Sequence, residues 1–186
     1  MKNKKIIFII VLAIIIILFF LIFFTDLFKK SESNELLEYT PQEEISDDEI
    51  RKTIICLYFK NIETNTLIAE AKCVDVKDLY ENPYASLINM LISGPESEKL
   101  KSPIPEGTKV NSCTLKGNTV YVDLSNEFID NAPSGVDDES ISIYSIVNTL
   151  TELNEVTGVK FLINGKENQE FKDGIISFDT IFTRND

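Results

Sequence analysis

The chain has 186 residues, a formal charge of -12 and no histidine. Such acidity repels phosphate and argues against nucleic acid as a partner, while the missing imidazoles remove the usual general base and most zinc or transition-metal sites. The three cysteines, Cys56, Cys73 and Cys113, show no CxxC spacing, and their odd count allows one disulfide at most.

Residues 1–5 carry Lys2, Lys4 and Lys5 and precede IIFIIVLAIIIILFFLIFF, an unbroken apolar run over 6–24. That length is close to the roughly 20 residues a helix needs to cross a bilayer, so the run is expected to be a transmembrane signal anchor. A cleavable signal peptide would have a shorter apolar region ending in small residues. Here the exit is Phe23, Phe24, Thr25 and Asp26, and no cysteine follows to accept a lipid. The basic flank places residues 1–5 in the cytoplasm and everything after the span outside it. Membrane contact is then expected from the span alone.

Residues 25–51 include SESNELLEYTPQEEISDDEIR, an acidic stretch expected to act as an extended tether. Residues 52–186 suit one domain. TIICLYF (53–59) and TLIAEAKCVDV (66–76) read as a hairpin across KNIETN. Cys56 and Cys73 fall on its two strands, where either a cross-strand disulfide or separate buried thiols would fit.

Asn82-Pro83 predicts a helix start, with Asn as cap and Pro in the first turn. Tyr84, Leu87, Ile88 and Leu91 form its apolar stripe, and Gly94-Pro95 ends it. SPIPEGT then leads into strands at 109–115 and 119–124, joined by a Gly117-Asn118 turn. Ser125 is expected to cap the short turn NEFIDN. A second helix follows, with acidic residues at its positive end and Ile143, Ile146, Val147, Leu150 and Leu153 as its stripe. GVKFLING (158–165) is a strand closed by an Asn-Gly turn, and GIISFDTIF is expected to return as a last strand. The order β-β-α-β-β-α-β predicts an α+β fold, a two-layer sandwich with two helices on one face of a mostly antiparallel sheet.

No constellation of catalytic groups emerges. Ser125, between Asp123 and Glu127, lacks a histidine or an SxxK lysine to activate it, so a structural role for Ser125 and loop-amide contacts for Asp123 fit better. Asp130, Asp137, Asp138 and Glu139 lack the EF-hand pattern, and acidic residues at a helix start need no calcium to explain them. Gly94 leaves a helix and Gly107 enters a strand, the reverse of a phosphate-binding loop. No catalytic, cofactor-binding or metal residue is therefore assigned. Tyr58, Tyr80 and Tyr121 are equally compatible with packing and with stacking on a sugar.

Several separated segments, ICLYF, LISGP, SPIPEGT before KVNS, TVYVDLSNEF and IVNTLTELNEVTGVKFLING, resemble the GerMN or Germane domain in the correct order. The resemblance implies a non-catalytic module outside the cytoplasm, held to the membrane by a span or a lipid. Some members carry two copies and are thought to help build a ring-like channel between mother cell and forespore. This chain has one copy, and a span in place of a lipid-attachment site. The expected function is a membrane-anchored scaffold in sporulation or germination, with envelope or sporulation proteins, or further copies of itself, as partners. A receptor for a cell-wall glycan or small molecule is the alternative.

Overall fold

The structure, a computed structural model, describes residues 51–184 together with Ile16, Phe19 and Phe20. The chain divides into two compact units, Met1–Asp48 and Glu49–Asp186. In the first, Ile16, Phe19 and Phe20 are helical and exposed. The rest of the 6–24 run and tether residues 25–50 lie outside the described residues. Among the described residues no helix is long and apolar enough to cross a membrane.

In the second unit, β1 (Lys52–Asn61) and β2 (Leu67–Asp75) form the expected antiparallel hairpin. Its turn is held by Asn61, whose Oδ1 accepts hydrogen bonds from the amides of Glu63 and Thr64 at 2.8 and 3.0 Å. The register sets Ala71 opposite Cys56 and Ile54 opposite Cys73, so the two thiols sit diagonally and all three cysteines are free. A 3-10 turn, Val76–Leu79, leads to α1 (Pro83–Ser93). Asn82 caps α1 by accepting from Ala85 N at 3.0 Å, and Leu87, Ile88 and Leu91 are buried from its stripe.

Beyond α1, β3 (Leu100–Lys101) makes a brief pairing with the end of β1. It is too short to leave a pattern in the sequence. β4 (Val110–Lys116) and β5 (Thr119–Leu124) form the second hairpin, with Gly117 at φ +62° in its turn. The short α2 (Glu127–Asp130) and then α3 (Val136–Leu150) lead to β6 (Gly158–Ile163).

The expected single, mostly antiparallel sheet is corrected on two counts. There are two three-stranded sheets, ordered β2-β1-β3 and β4-β5-β6, and β5 pairs with β6 in parallel. The connection from β5 to β6 runs through two helices, and such a long crossover brings the chain back in the same direction. The first sheet stops where α3 lies against the edge of β1. There the Ser145 hydroxyl donates to Tyr58 O at 2.6 Å and the Thr149 hydroxyl accepts from Tyr58 N at 3.1 Å. These bonds stand where those of a neighbouring strand would be.

Ile143, Ile146, Val147 and Leu150 of α3 share one core with Val120, Val122 and Leu124 of β5 and Val159, Phe161 and Ile163 of β6. Leu57 and Phe59 of β1, and the α1 stripe, complete it. Leu153 lies beyond the end of α3 and packs on the core from a turn.

The tail departs from the expected strand. Residues 166–182 make isolated bridges, Ile163 to Lys166, Glu170 to Ser177 and Val159 to Phe182. Aromatic burial holds this segment instead: Phe171 and Phe178 are buried and meet Phe128 at centroid distances of 5.6 and 6.1 Å. The buried Lys160 ammonium adds hydrogen bonds to the carbonyls of Phe178 and Asp179 at 2.8 and 2.7 Å.

At Gly158 a Cβ would stand 2.7 Å from Ile181 Cγ2 and 3.2 Å from Phe182 O. We expect Gly158→Ala to loosen the bridge between Val159 and Phe182 and to cost about 1–3 kcal/mol, as overpacked sites do. Amide hydrogen exchange at Phe182 provides the check. Unchanged protection there would show that the tail accommodates the methyl.

Candidate functional site

The chemistry expected from isolated motifs is dispersed in three dimensions. Asp123 Oδ1 accepts from Gly165 N at 2.8 Å, holding the Asn-Gly turn after β6. Ser125 is buried and accepts from Lys109 N at 2.9 Å, fastening the entry of β4. Its side chain does not cap α2, whose capping position is Asn126. The Ser125 hydroxyl also bonds to the Glu127 carboxylate, which helps hold that carboxyl below its ordinary range. The Ser125 hydroxyl thus ties the entry of β4 to the start of α2.

The four acids around α3 likewise separate. Asp130 pairs with Lys172 at 3.5 Å, Asp138 pairs with Lys60, Glu139 turns toward Asp173, and Asp137 is exposed. Among the described residues no group of three or more side chains is disposed to hold a metal ion. The Tyr58 hydroxyl donates to Glu152 at 2.7 Å, and Arg184 lies over its ring at 5.2 Å. Lys116 covers the Tyr121 ring at 4.1 Å, whereas Tyr80 is exposed. These tyrosines occupy β1, the segment after the 3-10 turn, and β5.

Glu139 is buried, and among the described residues its Oε2 has no hydrogen-bond partner. Burial first, and then the neighbouring Asp173 charge, raise its carboxyl above the ordinary value of 4.5. A carboxyl with a raised folded value binds its proton more tightly in the native state. Its contribution is therefore present at low pH and is lost as pH rises through the folded value. Glu139→Gln should remove that loss, stabilising the chain at pH 7 and flattening the fall in stability above pH 4.5. Denaturant midpoints measured from pH 4 to 8 test this. A variant curve parallel to the wild type would refute it.

The described residues also form a concave site. The proline segment SPIPEGT is pinned along its length: Ser102 Oγ donates to Leu91 O, Ser142 Oγ to Pro103 O and Thr108 Oγ1 to Pro105 O, each at 2.7 Å. Asn131 Nδ2 adds a bond to Glu106 O at 2.8 Å. Between this loop, the end of β1 and the start of α3 lies a cleft of about 260 Å³ lined by Lys60, Lys101, Glu106, Asn131, Asp138 and prolines. Lys60 is 7% exposed and ion-paired with Asp138. The cleft thus carries two cationic and two anionic side chains: Glu106 stands on the pinned loop, and Lys60, Lys101 and Asp138 come from β1, β3 and α3.

Sequence reading noted the prolines, Lys60 and Asp138 only as parts of separate segments. The separation of 78 positions from Lys60 to Asp138 leaves no local signal for their pairing.

Comparison with known proteins decides the affiliation. The Germane family model, described as sporulation and spore germination, matches residues 56–169. The chain belongs to the Germane family. No curated protein matches it. The Germane fold is also seen in the tandem GerMN domains of the sporulation protein GerM from Bacillus subtilis, at 22% identity and a TM-score of 0.61. That match covers 78% of this chain and 50% of the other, so this chain spans half the length of the tandem structure. The first GerMN domain of the same protein aligns at 24% identity and a TM-score of 0.60, over 72% of this chain and 99% of that one. A putative lipoprotein from Clostridium perfringens aligns at 21% identity and a TM-score of 0.50, over 72% of this chain and 88% of that one. At these identities the structural likeness speaks for the fold alone. Germane is not a known enzyme family.

Proposed function

We propose that the chain is a single-pass, membrane-anchored assembly module whose Germane domain lies outside the cytoplasm and acts without catalysis in sporulation or spore germination. The observation that carries this reading is the match of residues 56–169 to a family described by that process. The apolar run at 6–24 and the lysines before it supply the anchor and its orientation. The side chains with chemical potential are engaged in holding loops, as Ser125, Asp123 and Lys160 are. A crosslinked pull-down across a sporulation time course should retain envelope proteins, and deletion should impair sporulation or germination. A deletion strain that sporulates and germinates normally would sink the process assignment.

The Lys60 cleft favours a second reading, a receptor for a small envelope ligand with charges of both signs. It is slightly smaller than the roughly 300–1,000 Å³ of most ligand pockets. A ligand bound only to the native state raises the melting temperature. Cell-wall fragments that leave it unchanged would exclude themselves as ligands.

A further inference from the structure

We infer that the free edge of β2 is a self-complementary surface through which two copies of this chain pair antiparallel, about a two-fold axis at Ala71. The hydrogen bonds from Asn61 N to Thr66 O and from Val76 N to Arg51 O, both 2.8 Å, bracket the β1-β2 ladder. Alternation between them directs Ile68, Glu70, Lys72 and Val74 toward β1. It turns the N–H and C=O groups of Ala69, Ala71 and Cys73 the other way. Among the described residues no strand adjoins β2 on that side.

Edges of this kind are ordinarily blocked by prolines, bulges or bulky charge. β2 has no proline and pairs with β1 without a register shift. Ala69, Ala71 and Cys73, the residues whose backbone faces the open side, are small and exposed.

The charges select the partner. In an antiparallel pair with Ala71 opposite its copy, Ala69 stands opposite Cys73 and Glu70 opposite Lys72, twice over. The Glu70 and Lys72 positions are non-hydrogen-bonded, the class in which facing side chains come closest. Shifting the axis to Cys73 would set Lys72 opposite Val74 and lose both charge pairs. Glu70 is held in place, accepting from the amides of Glu96 and Ser97 at 3.0 and 2.9 Å. Lys72 reaches the exposed Glu96 at 3.4 Å and can exchange that contact for the copy's Glu70. The overall charge of -12 repels copies at long range, so any approach depends on local complementarity of this kind.

This inference deepens the assembly reading by naming one partner, and the two fail separately. A pull-down that retains no envelope protein would end the assembly reading and leave the dimer standing.

The test oxidises the full chain carrying Cys56→Ala, with and without Ala69→Cys, and resolves it on a non-reducing gel. The added thiol should face the copy's Cys73 and give a disulfide-linked dimer. The Cys56→Ala chain alone should give little, because Cys73 then faces Ala69. Adding Lys72→Glu sets carboxylates against each other and should weaken association by about tenfold, with Lys72→Met falling between. Circular dichroism on each variant confirms that the fold is retained. No dimer with Ala69→Cys, equal dimer without it, or a yield indifferent to Lys72→Glu would each overturn the proposal.

Discussion

Asp138→Ala should destabilise the domain by about 3 kcal/mol, the scale on which one partner of a buried ion pair is missed. The effect works through Lys60, which is 7% exposed and whose ammonium is paired with Asp138. Without the carboxylate, a charge stays buried beneath the proline loop. Asp138 itself keeps 32% side-chain exposure, so water reaches the pair and places the loss toward the lower end of the range. Lys60→Met together with Asp138→Ala should recover most of the loss, because an apolar side chain has no charge to strand. Urea unfolding of both variants gives the numbers. A single variant within about 0.5 kcal/mol of wild type would mean that the pair is effectively solvated.

The largest loss is expected at Phe128. This residue of α2 is fully buried and meets Phe161 of β6 at 6.1 Å, Phe171 at 5.6 Å and Phe178 at 6.1 Å. It joins a short helix, the mixed β4-β5-β6 sheet and the tail. Phe128→Ala should cost about 3–5 kcal/mol, and Phe128→Leu, which keeps much of the volume, under about 1.5 kcal/mol. The tail should respond first, since much of its burial comes from these rings. Limited proteolysis of Phe128→Ala should cut within 166–182 before the core unfolds. Simultaneous loss of tail and core would show that the two unfold as one unit.

Local features were legible in the chain because their causes lie within a few residues. Asn82-Pro83 starts α1 through its own side chain and ring, Gly94 ends it at φ +94°, and Asn164-Gly165 closes β6 with φ of +47° and +74°. Alternating Val120, Val122 and Leu124 marked the buried face of β5, and the 3.6-residue stripes of α1 and α3 marked theirs. The order of the quoted segments was equally legible, and the family model covers the same region.

What sequence reading missed depends on residues far apart in the chain. Periodicity reports which face of a strand is apolar and is silent on its neighbour, so the parallel pairing of β5 with β6 and the division into two sheets appeared only when α3 took the edge of β1. The tail resembled a strand because its apolar residues are closely spaced, yet Phe171 and Phe178 are buried by aromatic contacts across the fold. Ser125 resembled a cap by position and instead fastens Lys109.

The sequence alone thus determined the local elements, the acidic character, the lack of imidazole chemistry and the family resemblance, each set by short-range patterning or composition. Tertiary structure decided the pairing of Lys60 with Asp138, the meeting of Glu139 with Asp173 and the place of β2 at the end of its sheet among the described residues. Those arrangements follow from which elements pack together, and burial in a shared core fixes that at separations where sequence pattern carries no information.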